Sequence, residues 1–286
     1  MNFKNLVFYN KCGFAGYLML PSFLLCFLSC KRPPEISNAT VNYSHDSKGL
    51  LVISMKNGKS FIIDTGADAS LIFSDRIKIN SSARGLTQIN NKKIFFIRKI
   101  DSLQICGLSI KNHNFVFMKA DSSFWKNDTN IAGLIGMDIL SQKYCCFDVK
   151  NQTISFSDEK QQTTIPSLIL SYKSPTQPLS DININGNIFK DVIFDTGFDC
   201  FLELLEEDRK KLNFSDSLQK EDRYDLFNNL RPVYFDKPDS LEINDVVFQS
   251  PKILYGQKHR LLGLKFATHW SSFLIDPFEK RIEFYL

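Results

Sequence analysis

Short apolar runs separated by turn residues organise most of this chain. Leu50 to Met55 and Lys59 to Ile63 flank Asn57-Gly58, while Ile182 to Ile184 and Ile188 to Ile193 flank Asn185-Gly186. Asn-Gly between strand-like runs is a strong hairpin signal, because both residues accept the left-handed backbone that a two-residue turn requires. Each hairpin is expected to end in the same tripeptide, Asp64-Thr65-Gly66 in one case and Asp195-Thr196-Gly197 in the other. Further strand-like stretches lie at Lys93 to Arg98 and Pro232 to Phe235. Only short helices are expected, at Met137 to Gln142, Glu203 to Leu212 and Phe266 to Ser271.

The two tripeptides belong to a longer internal repeat, which is the first thing to look for in a chain of this length. They are 131 residues apart. Asn90-Asn91 followed by Asp101-Ser102-Leu103-Gln104-Ile105 matches Asn228-Asn229 followed by Asp239-Ser240-Leu241-Glu242-Ile243 at an offset of 138. Leu134-Ile135-Gly136 matches Leu261-Leu262-Gly263 at 127, and Phe147-Asp148 through Phe156 matches Ile275-Asp276 through Phe284 at 128. Order is kept and only loop lengths drift, so the chain reads as a duplicated, mainly β domain of ordinary size. The halves are placed at 47–156 and 165–286, joined by the polar stretch Ser157 to Thr164.

One Asp-Thr-Gly would read as a strand entering a turn, since all three residues favour turns. Two copies in matching contexts suggest carboxylates built to meet. Two carboxylates about 3 Å apart cannot both ionise comfortably and share a proton. One then acts as base on a water between them while the other donates to a scissile carbonyl. The apparent pKa values of such a pair belong to the dyad, not to either residue. The glycine permits close backbone approach, and the Thr hydroxyl can hydrogen-bond across the junction.

The apolar strand ending in Asp-Thr-Gly and the later apolar-apolar-Gly element, present in each half, resemble the retropepsin-like aspartic proteases. They are similar in particular to bacterial aspartyl protease proteins that carry such domains singly or in tandem. The resemblance covers most of residues 47–286 and implies two tandem retropepsin-like (acid protease) β-barrel domains forming a pseudo-two-fold bilobal unit. It implies that Asp64 and Asp195 are the catalytic pair, that Thr65 and Thr196 interlock at the pseudo-dyad, and that Gly66 and Gly197 form the turns. It also implies a monomer with an intramolecular pseudo-dimer and a polypeptide substrate.

The cleft candidates are Ala67 and Asp68 in one half and Phe198 and Asp199 in the other. Phe198 is a departure from the family pattern: it could fill part of the cleft, anchor the halves, or wall an apolar pocket. Neither Ala67 nor Phe198 carries a hydroxyl that could donate to the dyad, which points to a less acidic optimum than if hydroxyls stood there. The glycine-rich flap common in viral members is missing, so the Asn90-Asn91 and Asn228-Asn229 tips are the candidates for covering the site. Such tips would hold an extended peptide through its backbone.

Residues 1–30 contain Lys4 and Lys11, no acid, and an apolar stretch from Gly13 to Leu28 before Ser29-Cys30. Sixteen apolar residues are short for a spanning helix, which needs about 20, and suit a signal-peptide core. Ser29-Cys30 resembles the end of a bacterial lipobox, with Cys30 lipidated. The expectation is an exported, membrane-anchored lipoprotein on a periplasmic or cell-surface face, with an uncleaved anchor or plain secretion as alternatives. Residues 31–46, polar and proline-marked, read as a flexible tether.

Of seven cysteines, Cys106, Cys145, Cys146 and Cys200 lie in the folded part, where they could pair or serve as small core residues. No zinc spacing occurs and the four histidines are scattered, so neither a metal nor a cofactor is called. The 35 Lys and Arg against 31 Asp and Glu leave +4, two of these charges in the leader, and no basic block argues for nucleic acid. Two functions remain: a membrane-tethered aspartic endopeptidase, or a catalytically inactive pseudo-protease that binds a peptide or other ligand.

Overall fold

The computed structural model describes residues 34–286 except 78–80, 90–92, 121–126, 163, 175, 213, 215–217, 225–229 and 257. The protein is mainly β, with its strands in three sheets. Each half supplies one large sheet, and the two follow the same strand order. Ser81–Ile89, Lys93–Ile105, Leu108–Met118, Leu71–Phe73, Ile131–Ile135, Ser60–Ile63 and Leu51–Ser54 run across the first. Gln219–Tyr224, Leu230–Asp236, Ile253–Gly256, Leu202–Leu205, Arg260–Gly263, Asn187–Asp195 and Leu179–Ile184 run across the second.

The predicted hairpins form with different turns. Asn185 and Gly186 are both left-handed, at φ +48° and +78°, as a type I′ turn demands. At the first hairpin only Gly58 is left-handed, and the Met55 N–H donates to the Lys59 carbonyl at 2.6 Å around a longer loop. Two long strands of the first half, Lys93–Ile105 and Leu108–Met118, are each broken in the second, into Leu230–Asp236 with Ser240–Ile243 and Val246–Gln249 with Ile253–Gly256. Pro238 and Pro251 sit in the breaks, where a residue without an N–H interrupts the ladder.

The third sheet joins the halves. Its order is Leu168–Ser171, Arg281–Tyr285, Ser272–Asp276, Tyr144–Asp148, Thr153–Ser157 and Ala39–Asn42. At its centre Cys146 pairs with Leu274, its own equivalent at the offset of 128, while Cys145 pairs with Ile275 and Phe147 with Phe273. That self-complementary register is what a two-fold axis through the sheet requires. Phe147 stacks on Phe273 with centroids 4.2 Å apart, and Phe194, the residue before Asp195, meets Phe273 and Phe284 edge-on at 5.5 Å each. Such pairs each contribute about 0.5–1.5 kcal/mol beyond burial, so the end of the second Asp-Thr-Gly strand rests on two rings of its own half, one of them stacked on Phe147 of the other.

Three expectations need correction. Most of the segment expected to be a flexible tether, residues 31–46, is built into the fold: Glu35–Ile36 pairs with Lys111 and Ile110, Ala39–Asn42 pairs with Thr153–Phe156, and Ser44–His45 pairs with Val52 and Leu51. Ile36, Val41 and Tyr43 are buried, the first two within strands and Tyr43 between two of them. Glu203 to Leu212 is not one helix, because Leu202–Leu205 is a strand in the sheet interior and only Arg209–Leu212 is α-helical after a single 3-10 turn. The last helix is Leu264–Ala267, starting directly after Gly263 instead of at Phe266. The four cysteines of the folded part are free thiols, Cys145 and Cys200 buried and Cys106 exposed.

The connector 157–164 is pinned to this joining sheet. Lys160 lies 2.6 Å from Glu283 and 3.6 Å from Asp276, and Arg281 lies 2.7 Å from Glu283; both carboxylates are about 1 % exposed. Burial pushes the Glu283 carboxyl up, but hydrogen bonds from Lys160 and Tyr285 and the nearby cations outweigh it and hold it below its ordinary 4.5. A depressed folded pKa gives stability that is present above the unfolded value and lost as pH falls through the folded one. Glu283→Gln is therefore expected to cost about 1.5–3 kcal/mol at pH 7, the scale of hydrogen bonds to a charged group. The deficit should shrink below pH 4, as read from urea unfolding at both pH values.

Candidate active site

Asp64 follows the strand Ser60–Ile63, whose Phe61, Ile62 and Ile63 are wholly buried, and Asp195 ends the strand Asn187–Asp195. In each half the apolar-apolar-Gly strand threads beside the strand that leads into Asp-Thr-Gly. Ile131–Ile135 runs parallel to Ser60–Ile63 and antiparallel to Leu71–Phe73, and Arg260–Gly263 does the same between Asn187–Asp195 and Leu202–Leu205. The loops carrying the two Asp residues thus emerge from sheet interiors, where their ends cannot drift.

The loops interlock across the pseudo-dyad. The Thr65 hydroxyl donates to the Phe194 carbonyl at 2.8 Å and accepts from the Thr196 N–H at 3.0 Å; the Thr196 hydroxyl donates to the Ile63 carbonyl at 2.8 Å and accepts from the Thr65 N–H at 3.1 Å. Both threonines are fully buried. Each glycine then lies against the opposite carboxylate. A β-carbon on Gly66 would stand 2.4 Å from the carboxyl carbon of Asp195, and one on Gly197 would stand 2.4 Å from that of Asp64. No side chain fits at that distance, which is why the third residue of the tripeptide must be glycine. Each Asp also accepts from its own loop, Asp64 from the Gly66 N–H at 2.9 Å and Asp195 from the Gly197 N–H at 3.0 Å. The carboxylates are 5 % and 1 % exposed. The arrangement sets each acidic group against the backbone of the opposite loop, nearly out of solvent.

Ala67 and Phe198 are structurally equivalent: their carbonyls accept from Met137 and Leu264 N–H groups at 2.9 and 2.8 Å. Ala67 is buried, whereas Phe198 is half-buried, its ring against Gly263 and under the Arg223 guanidinium at 5.9 Å. Arg223 also pairs with Asp199 and hydrogen-bonds Cys200. Burial and the Asp199 charge push the Cys200 thiol up to about 11, so this sulfur is a neutral thiol at ordinary pH. Asp68 is partly buried in the corresponding loop. Asn90, Asn91, Asn228, Asn229 and Cys30 lie outside the described residues, although the hairpins expected to carry the four asparagines are present. Arg223 was not foreseen, because a lone arginine in a strand 24 residues from Asp199 carries no local signal. Among the described residues no cluster of His, Cys, Asp and Glu is placed to hold a metal ion.

No protein-family model matches the chain, and no curated protein matches it. Among solved structures, basic 7S globulin from soybean is similar over 88% of this chain and 95% of that one, at 12% identity and a TM-score of 0.46. Conglutin gamma, a basic 7S globulin from lupine seeds, is similar over the same shares at 10% identity and 0.45. Likenesses this distant do not bear on the chemistry of the site.

The interlock predicts a strong, coupled penalty. Thr65→Val and Thr196→Val each strand buried partners and should cost about 2–4 kcal/mol by urea unfolding. The double variant should cost clearly less than the sum, because both residues serve one network.

Proposed function

We propose that the protein is an aspartic endopeptidase of the retropepsin-like type, formed by two tandem domains in one chain, with Asp64 and Asp195 as its catalytic pair. The observation that carries this reading is the reciprocal packing of each glycine on the opposite carboxylate. Carboxylates brought together in this way, almost out of solvent, favour one shared proton over two charges. The ionised partner takes a proton from a water lying between them as its oxygen attacks the peptide carbonyl carbon. The protonated partner donates to the carbonyl oxygen. Collapse of the tetrahedral adduct returns a proton to the leaving amine and breaks the C–N bond, so one symmetric pair serves as base and acid in turn. The substrate would be an extended polypeptide held through its backbone by the hairpins Ser81–Ile89 with Lys93–Ile105 and Gln219–Tyr224 with Leu230–Asp236.

For localisation we retain an exported lipoprotein anchored through Cys30. Among the described residues the first paired one is Glu35, and five residues span at most about 18 Å. Such an enzyme would work close to the membrane face instead of on a long leash.

A second reading is a peptide- or ligand-binding module that does not hydrolyse. It is favoured by Phe198 and Arg223, which place a ring and a guanidinium at the second catalytic loop where the first has only Ala67.

Cleavage of a diverse peptide library by the soluble chain from pH 3 to 8 separates the two. Under the first reading, Asp64→Asn and Asp195→Asn each lower kcat by at least about 10³-fold, the scale of losing an essential acid–base group. Absence of cleavage by the folded wild type at every pH, with peptide binding retained, would favour the second. Because neither Ala67 nor Phe198 can donate a hydroxyl hydrogen bond to the ionised dyad, the pH–rate maximum is expected above about 3.5, near or above the free Asp value. A maximum below that would show another donor at work.

A further inference from the structure

The first half contains a polar brace that the second lacks. Ser70, wholly buried, accepts the Gly136 N–H at 2.9 Å through its hydroxyl oxygen and donates that hydroxyl to Asp138 Oδ1 at 2.6 Å. The Ser70 N–H also donates to the Asp138 carboxylate at 2.9 Å. His113, 6 % exposed, lies with Nε2 2.8 Å from Asp138 Oδ2, its ring edge-on to Phe115. Gly136 stands between the two residues that hold the Asp64 loop. The Ile135 carbonyl accepts the Asp64 N–H at 3.0 Å, and the Met137 N–H donates to the Ala67 carbonyl at 2.9 Å. Both ends of Asp64-Thr65-Gly66-Ala67 are therefore fastened to a segment whose position Ser70, Asp138 and His113 set.

In the second half, Phe201 stands for Ser70 and Lys265 for Asp138, at the offsets of 131 and 127. Pro251 stands for His113, one residue after Ser250, which is left-handed like its equivalent Asn112. There the Gly263 N–H goes to the Phe201 backbone carbonyl at 2.9 Å, and the Phe201 ring packs on Phe248, Phe266 and His269. Ring packing holds that loop, with His269 Nδ1 also 2.7 Å from the Lys265 carbonyl.

We propose that His113 is a positioning residue for Asp64, acting through Asp138 and Ser70, so that one carboxylate of the pair is set by a histidine-rooted hydrogen-bond chain and the other by an aromatic cluster. The inference rests on the hydrolysis proposed above for its kinetic readout. Charge-assisted bonds to a carboxylate are short and directional, and misplacement of a catalytic group by about 1 Å is enough to cost about 10²-fold in rate.

The test compares kcat, KM and unfolding for His113→Phe, His113→Gln, Ser70→Ala and the His113→Phe/Ser70→Ala double variant, with the 13C carboxyl resonances of Asp64 and Asp195 recorded on the same full-length samples. His113→Phe is expected to lower kcat about 10- to 100-fold with KM within about twofold. His113→Gln, which restores an N–H donor to Asp138, should recover to within about threefold. The double variant should be no worse than Ser70→Ala. The Asp64 resonance should move more than that of Asp195. Unchanged kcat in His113→Phe, or a loss that His113→Gln does not rescue, overturns the proposal while leaving the peptidase reading intact. If the wild type cleaves nothing, that reading fails first. The resonances then decide the brace: a shift of Asp64 that Gln reverses supports it, and no shift overturns it. Should His113→Phe fail to fold, Asp138→Asn carries the test on the same criteria.

Discussion

The reciprocal contact between Thr65 and Thr196 is the constraint on which the rest of the fold depends. Each hydroxyl spans the axis to the backbone of the other loop, and four hydrogen bonds close a ring that water cannot enter. A buried network of this kind is worth keeping only when every member is satisfied. Satisfaction here requires two loops placed symmetrically to within the tolerance of a hydrogen bond. The joining sheet, with Cys146 opposite Leu274, supplies that symmetry from below. The apolar strands beneath each Asp supply the stiffness. The approach of the carboxylates follows from these constraints instead of being an independent feature.

Much of this was legible in the sequence because the repeat is carried by residues whose types are forced. Asp-Thr-Gly tolerates no substitution at glycine when the opposite carboxylate is 2.4 Å from where a β-carbon would lie. Asn-Gly turns and apolar runs announce hairpins through local chemistry alone. The constant offset of 128 at the last strands even contains the pairing of the joining sheet, since a self-complementary register needs equivalent residues to face each other. What was hidden depends on partners distant in sequence. Ile36, Val41 and Tyr43 look unremarkable in a polar stretch until strands more than sixty residues away bury them. Leu202–Leu205 reads as the start of a helix because leucine and glutamate favour helices, yet the sheet around it overrides that preference. Arg223 and His113 act on groups that only the tertiary fold brings near.

The halves differ most where symmetry demands least. Around the axis, Thr65 and Thr196, Gly66 and Gly197, and the bonds from Met137 and Leu264 remain equivalent. One turn further out, Ala67 corresponds to Phe198, Ser70 to Phe201, and long strands to strands cut by proline. A residue on the axis meets its own equivalent, so a change there must suit both copies at once. A residue off the axis meets only its own half and can be replaced by any arrangement that holds the same backbone. Hydrogen bonds from Ser70 to Asp138 and ring contacts from Phe201 to Phe248 and Phe266 are two such solutions.

Those two solutions differ in how they fix direction. A ring cluster holds its loop mainly through buried area, which is non-directional. A carboxylate held by a histidine and a serine fixes its loop through short, directional hydrogen bonds. A chain with one loop of each kind has two carboxylates that look alike near the axis and stand on unlike foundations. Symmetry of the tripeptides therefore does not make Asp64 and Asp195 interchangeable. Any division of labour between them has to be sought in the surroundings that duplication left free to diverge.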